Sequence, residues 1–269
     1  MRTHLRFDVT IDQAIQKLDL IADNAFGAAM PVGDPAPGSI RERYVRWALH
    51  TEQELIGVLD RRDAMAIFEN PRHRDICSMI PGEQLTNLIS AEVAAKSNEL
   101  REIAIALRAA QSRATCGPGC PTIVDTNLLL QCQRPDQIPW RKLVCEQVRL
   151  VVPLRVIEEL DAKKYSSSER LRRLSKELLP WLESLFGESE CGPVSVNGCD
   201  DTTVEVYFAD RPRYRPIDAD EEVLDTYHEV ALLAGKARLV TRDTGMRLRA
   251  RAQGVEVIEL PPNYDRLAD

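Results

Sequence analysis

Acidic residues in the second half of the chain recur directly after short apolar runs, or at the predicted start of the helix that follows. Asp125, Asp220 and Asp243 occupy such positions, and Glu158 and Glu159 form an adjacent pair in a fourth segment. Carboxylates that are packed together repel one another unless a cation is bound, and carboxylate oxygens are ligands that Mg²⁺ and Mn²⁺ prefer. The arrangement therefore predicts a divalent-metal site that would activate water and neutralise the charge of a phosphodiester.

Each of these acids also has a more ordinary explanation. An Asp after a strand commonly caps the following helix, and acids in a first helical turn interact favourably with the helix dipole. Asp220, Leu224 and Tyr227 fall on one helix face, which directs Asp220 toward the sheet. Asp225 lies nearer to the solvated face, one turn into the helix, where it could still reach the rim. It is the convergence of all four segments that favours a metal site over four separate caps.

The segments that position these acids alternate between strand and helix patterns after Pro121. This alternation indicates a mainly parallel sheet with helices on both faces. Because the carboxyl ends of parallel strands meet at one edge, we expect the acids to converge there. One of the strands, 203–208, alternates like an edge strand. The predicted strands are 122–124, 150–153, 203–208, 237–241 and 255–260, and the predicted helices are 127–132, 155–161, 168–186, 219–234 and 244–253.

Residues 1–115 are predicted to form a separate all-α domain. Apolar residues recur there at helical spacing. Ser39 is expected to cap a helix that runs to about Asn70, and a long amphipathic helix is expected from Gln84 to about Arg113. This region carries no phosphate-binding loop and no pair of histidines at metal spacing. We expect a helical bundle that packs on the second domain, forms a homodimer or binds a protein partner.

Cys116 and Cys120 enclose a Gly-Pro-Gly sequence at the boundary between the two regions. A close cysteine pair raises the question of a zinc knuckle, but a structural zinc site needs about four ligands and no second close pair exists. We therefore expect a linker with free thiols at 116–121 and a second domain at 122–269.

The composition excludes several classes of protein. With 44% hydrophobic residues, the chain of 269 can bury a core and is too apolar for general disorder. No apolar run approaches the roughly 20 residues of a membrane span. Seven irregularly spaced cysteines suit reduced thiols, so a cytoplasmic location is expected.

The charge is distributed unevenly along the chain. The net charge of −7 argues against an indiscriminate nucleic-acid coat. However, residues 200–229 hold ten acids against three arginines, and residues 236–251 hold six basic residues against one acid. An acidic cluster beside a basic one suits a metal-dependent enzyme that acts on a phosphodiester, because the bases can hold backbone phosphates. Solvated helix faces would explain either cluster taken alone.

Four segments together resemble the PIN domain: Val124 to Asn127, Val156 to Lys163, Asp220 to Asp225, and Leu239 to Ala250. The resemblance covers about 121–262, in the order of the family. It implies a Rossmann-type α/β sandwich with a mainly parallel sheet. It also implies an endoribonuclease that depends on Mg²⁺ or Mn²⁺ and cleaves single-stranded or structured RNA. The acidic, cysteine-containing segment at 187–217 departs from the family pattern and could reshape the substrate groove.

The resemblance assigns the family's metal-binding acids to five positions: Asp125, Glu159, Asp220, Asp243 and, as an additional acid, Asp225. Glu159 is preferred over Glu158 because the family's acid usually precedes the Leu. Asn127 and Thr241 are expected to support these ligands. Nearby basic side chains are candidates for phosphate contacts: Lys163, Lys164, Arg170, Arg172, Arg173, Arg242, Arg247 and Arg249.

Other functions remain open on the sequence. A nuclease-like fold can bind RNA or a protein without cutting it, and the helical half could hold a nuclease inactive. A phosphatase of similar topology is less well supported, since it would need a second Asp two residues after Asp125, where Asn127 stands.

Overall fold

The computed structural model describes residues 5–6, 9–29, 37–78, 83–144, 146–186, 192–196, 199–208 and 218–266, with side chains except those of 37–39, 83, 199 and 200. The chain divides into two compact units, Met1–Ser112 and Arg113–Asp269. Each unit has its own hydrophobic core.

The first unit is built from helices, as predicted. They are α1 (Ile11–Ala29), α2 (Pro37–Ile56), α3 (Arg61–Ala66), α4 (Pro71–Ser78) and α5 (Glu83–Thr115), the last of which continues beyond the unit. Their apolar faces meet in one core in which Leu18, Tyr44 and Leu55 are fully buried. The predicted long helix from Gln84 to Arg113 is confirmed as α5. No helix in the described parts of the chain has both the length and the apolar character that a membrane crossing requires.

The single helix predicted from Ser39 to Asn70 is wrong. The chain turns at Gly57, and Asp60 begins a new helix: its carboxylate accepts a hydrogen bond from the backbone N–H of Arg62 at 2.9 Å. Apolar residues continue at helical spacing on both sides of this turn, so periodicity alone did not reveal it. α2 also begins two residues before the predicted cap, at a proline, which suits the first turn of a helix.

The second unit is an α/β sandwich with a six-stranded sheet in the order β3-β4-β2-β1-β5-β6. All neighbouring strands pair in parallel except β3, which is antiparallel to β4. The predicted class, a mainly parallel sheet preceded by a helical region, is confirmed. The strands are β1 (Cys120–Val124), β2 (Val148–Pro153), β3 (Val194–Val196), β4 (Cys199–Tyr207), β5 (Arg238–Val240) and β6 (Val257–Ile258). The helices are α6 (Thr126–Gln131), α7 (Trp140–Val144), α8 (Leu154–Lys163), α9 (Glu169–Phe186), α10 (Ala219–Ala234) and α11 (Thr244–Ala252).

The prediction of an edge strand at 203–208 is wrong. β4 is covered on its outer side by β3, with Val194 opposite Val204 and Ser195 opposite Thr203. β3 is only three residues long and is too short for a recognisable alternation. The segment at 187–217 that departs from the family pattern therefore contributes to the sheet through its described residues.

The Gly-Pro-Gly junction has a packing reason. β1 begins at Cys120, inside the segment predicted as linker, and the Cys120 N–H donates to the carbonyl of Gln147 at 3.0 Å. Gly119 has φ +84°, and a Cβ there would lie 2.4 Å from that carbonyl oxygen. A Cβ on Gly117 would lie 2.8 Å from Cδ of the buried Arg149. The two cysteines that enclose the junction are both free thiols.

Candidate functional site

Four neighbouring parallel strands lead into the segments that carry the predicted acids. The four strands are neighbours in the sheet in the order β4, β2, β1 and β5. Along the chain, the acids that follow them are, respectively, Asp220, Glu159, Asp125 and Asp243. Because the strands are parallel, their carboxyl ends form one edge of the sheet. Sheet topology therefore delivers one acid from each of four adjacent strands to a common edge.

Asp125 is the most deeply buried of these acids, with a relative exposure of 5%. It caps α6: its Oδ1 accepts a hydrogen bond from the Leu128 N–H at 2.7 Å, and its Oδ2 accepts one from the Thr241 hydroxyl. Burial raises the pKa of Asp125 to about 6. The two hydrogen bonds lower this pKa, whereas the neighbouring charges of Asp243 and Asp220 raise it further. Ionising an acid in this environment is unfavourable unless a cation is near.

Asp243 is joined to Asp125 through Thr241. The Thr241 hydroxyl, which donates to Asp125, accepts a hydrogen bond from the Asp243 N–H at 2.9 Å. Asp243 caps α11 by accepting from the Met246 N–H at 2.9 Å, and its other oxygen faces the Asn127 side-chain amide at 3.4 Å. Capping and clustering are thus two roles of the same carboxylates, since each cap leaves lone pairs for a further ligand.

Of the two adjacent glutamates, Glu159 is the one tied to the segment that follows β1. The Thr126 hydroxyl donates to Glu159 Oε2 at 2.5 Å. Glu159 also lies close enough to Asp220 for its charge to raise the pKa of that carboxyl. Glu158 forms an ion pair with Arg155 at 3.9 Å. The geometry therefore favours the glutamate that precedes the Leu.

Asp220 completes the group on the side of β4. Partial burial raises the pKa of Asp220, Arg249 lowers it, and the charges of Asp218, Asp243 and Glu159 raise it. Arg249 Nη1 lies 3.2 Å from Asp220 Oδ2 and 2.7 Å from Asp218 Oδ2.

Asp225 is not brought to this group. The residue is exposed, although partial burial of its carboxyl raises the pKa, and the charges that affect this pKa are His228 and Glu222 rather than any of the four edge acids. The helical turn between Asp220 and Asp225 carries the second carboxylate away from the edge.

An arginine that the sequence patterns did not single out lies beside the acids. Arg155 Nε is 4.0 Å from Glu159 Oε1 and 3.9 Å from Glu222 Oε2. The sequence could have revealed this arginine, because Arg155 precedes Glu159 by four residues in one helix and side chains at that spacing face each other. Arg155 and Arg249 together neutralise the flanks of the site. By contrast, no described basic residue forms an ion pair with Asp125 or Asp243.

The donor chemistry of the group fits a divalent cation. Every candidate ligand is a carboxylate, and hard cations prefer oxygen. As the described residues stand, however, no three acids, histidines or cysteines are close enough to surround an ion. Asp125 and Asp243, which Thr241 links by hydrogen bonds, are the residues that would hold a cation most directly.

Most of the basic residues predicted to contact phosphate already have partners within the chain. Lys164 pairs with Asp161 at 2.8 Å, Arg242 with Asp265 at 2.6 Å, Arg247 with Glu259 at 3.5 Å, and Arg172 donates to the carbonyl of Ser166 at 2.8 Å. Lys163 has no such contact with the described residues. Arg170 and Arg173 line a cavity on the same unit.

Comparisons with known proteins bear on the same unit. A family model described as the PIN domain matches residues 122–260. A solved structure, a domain of a functionally unknown protein from Methanocaldococcus jannaschii DSM 2661, is 19% identical to this chain, covers 56% of this chain and 98% of its own, and has a TM-score of 0.36. No curated protein matches the chain.

Proposed function

The chain belongs to the PIN domain family, and on that premise we propose that it is a metal-dependent endoribonuclease that hydrolyses RNA phosphodiester bonds at the edge site. PIN domains have a nuclease-like fold, generally depend on divalent metals, and as nucleases act on RNA. The ligands proposed for Mg²⁺ or Mn²⁺ are Asp125 and Asp243 directly, with Glu159 and Asp220 directly or through water.

The observation that carries the proposal is the state of Asp125. It is 5% exposed, its pKa is raised to about 6, and no described basic residue pairs with it. A buried acid without a counter-ion lowers stability, so its presence beside Asp243 is best explained by a bound cation. When bound there, the metal would supply an activated water and neutralise charge on the scissile phosphate.

The surrounding side chains hold the ligands in position. Thr241 sets the separation of Asp125 and Asp243 by bonding to both, and Thr126 orients Glu159. The amide of Asn127 faces Asp243. Because these donors are fixed by the folded chain, the carboxylates need little reorganisation on binding.

The test is Mn²⁺-dependent cleavage of single-stranded and structured RNA by the full chain. Asp125→Asn is expected to lower the rate at least about 100-fold, since it removes a charged ligand, while circular dichroism stays unchanged. Asp225→Asn is the matched control, because it neutralises an acid that the fold keeps away from the edge, and it is expected to cleave normally.

Cleavage that survives Asp125→Asn in a folded protein would overturn this assignment. Cleavage that persists in EDTA would overturn the dependence on metal.

A second candidate is a module that binds RNA or a protein without cutting. It is supported by the absence, among the described residues, of three ligands within one coordination shell. The same assay separates the two, because a binding module would retain RNA in the presence of Mn²⁺ without producing fragments.

The first unit has no chemistry of its own in this proposal. We keep the prediction that its helices form a homodimer or bind a protein partner, together with a cytoplasmic location for the whole chain. Sedimentation of the full chain over a range of concentrations measures the first of these.

A further inference from the structure

A concave site that none of the four edge acids lines lies in the α/β unit. It has a volume of about 460 Å³ and is formed by the segment after α6, the first turns of α9 and the C-terminal segment. Four arginines line it: Arg134, Arg170, Arg173 and Arg266. Its acidic lining residues are Glu177 and Asp265, so cationic groups are in excess. We call it the arginine pocket.

Two of these arginines are held rigidly. Arg134 donates two hydrogen bonds to Asp136, from Nε to Oδ1 and from Nη2 to Oδ2, both at 2.7 Å. Its guanidinium also lies 5.4 Å from the ring centre of Trp181. Arg266 donates from Nε to the Cys132 carbonyl at 2.7 Å. A fixed guanidinium loses little side-chain entropy when it binds an anion.

The pocket also has unused hydrogen-bond donors. Nη2 of Arg266 is buried and has no hydrogen-bond partner among the described residues, whereas Nη1 lies 3.5 Å from Glu177. Arg170 is exposed and forms no ion pair with the described residues. The exposed guanidinium of Arg170, in a cavity that three other arginines also line, suits an anion with several acceptor oxygens.

The arginine pocket lies next to the acids. α6 has six residues, a length of about 9 Å at the usual rise, and it separates Asp125 from the Cys132 region. Burial raises the pKa of the Cys132 thiol to about 11; the charges of Arg242 and Arg266 lower this pKa, and those of Asp265 and Asp125 raise it. Asp265, which lines the pocket, pairs with Arg242, the residue directly before Asp243.

We propose that the arginine pocket binds a phosphate group of the RNA strand, neighbouring the phosphodiester that the edge acids would cut. This inference rests on the proposed function, because it takes the same strand as the ligand of both sites. Arginine is suited to this task since its planar fork matches the oxygens of a phosphate. The pocket would thus fix where the strand lies relative to Asp125.

The experiment measures binding of a fluorescent single-stranded RNA to the full chain in EDTA, so that cleavage plays no part. Arg170→Gln and the double variant Arg170→Gln/Arg173→Gln are compared with Lys176→Gln. Lys176 is an exposed base on the same helix that does not line the pocket. We expect the affinity to fall about 10-fold for each arginine, and the logarithmic salt slope to weaken by about 0.7 for each phosphate that is no longer neutralised. Lys176→Gln should bind as the unmodified chain does.

Equal binding by the double variant and the unmodified chain would overturn the proposal, and so would an equal fall in affinity for Lys176→Gln. Running the assay with 5′-phosphorylated and 5′-hydroxyl RNA distinguishes a terminal phosphate from an internal one. Dependence on the 5′-phosphate would identify the terminal group, and a weaker affinity of the double variant for both RNAs would identify an internal phosphate.

The outcome is separate from that of the nuclease proposal. If the unmodified chain binds through the pocket and never cleaves, only the nuclease proposal fails. If it cleaves and the double variant binds normally, only the pocket proposal fails.

Discussion

The two units of the chain each bury a carboxylate, and they treat it differently. In the helical unit Glu92 is 2% exposed, and it is neutralised by Arg72 at 3.2 Å and bonded by the Asn70 amide at 2.9 Å. In the α/β unit Asp125 is 5% exposed, and among the described residues it accepts only from a hydroxyl and a backbone N–H.

The difference separates a structural acid from a candidate functional one. A buried charge that has a counter-ion and hydrogen bonds is largely compensated within the fold. A buried charge that is bonded but not neutralised costs free energy, which either a proton or a bound cation offsets. On this criterion Glu92 holds helices together, whereas Asp125 is the candidate for binding a cation.

The largest effect is expected for Asp125→Asn, whose free energy of unfolding is measured with urea in EDTA. This variant tests whether Asp125 and Glu92 contribute differently to stability. The pKa of Asp125 is raised in the folded state, to about 6 from about 3.8. The folded state therefore binds the proton more tightly, so stability falls as pH rises from about 4 to about 6 and then levels off. We expect Asn to stabilise the metal-free protein by about 3 kcal/mol at pH 7 and to have no effect below about pH 4. A destabilised variant at pH 7 would place Asp125 in the same class as Glu92.

Adding Mn²⁺ tests whether a cation offsets the cost of the buried Asp125 carboxylate. With Mn²⁺ at about 100 times its dissociation constant, the free energy of unfolding should rise by about 2.7 kcal/mol. The gain should vanish on adding EDTA, and it should be absent in Asp125→Asn. An equal gain in that variant would mean that Mn²⁺ binds elsewhere.

Glu92→Gln should have the opposite sign to Asp125→Asn. It removes the charge that pairs with Arg72 but keeps a polar group near Asn70. Because Arg72 is half exposed and can turn to solvent, we expect the free energy of unfolding to fall by about 1 kcal/mol. Urea midpoints at pH 7 give the answer, and a stabilised variant would contradict the structural role of Glu92.

The smallest effect is expected for Asp225→Asn. Its carboxylate is exposed, so the stability should change by less than about 0.5 kcal/mol and the Mn²⁺-dependent stabilisation should persist. Disappearance of that stabilisation would return Asp225 to the metal site.

Much of the α/β unit was predictable because its signals are local. Apolar runs and helical periodicity located most elements, and the parallel class followed from their alternation. The elements that were misjudged have weak local signals: β3 is three residues long, and the turn at Gly57 interrupts an apolar pattern that continues across it. The edge status of β4 was inaccessible for a related reason, since it depends on the pairing of β3 and not on β4 itself.

The sequence by itself determined which residues could serve as ligands, because an acid after a strand is a property of a few neighbouring residues. Tertiary structure decided which of them meet. It joined Asp125 to Asp243 through Thr241, placed Glu159 in a hydrogen bond with Thr126 and left Asp225 exposed. It also assembled the arginine pocket from three segments with no common motif. The physical reason is that contacts between distant segments depend on strand order and helix packing, which no single segment encodes.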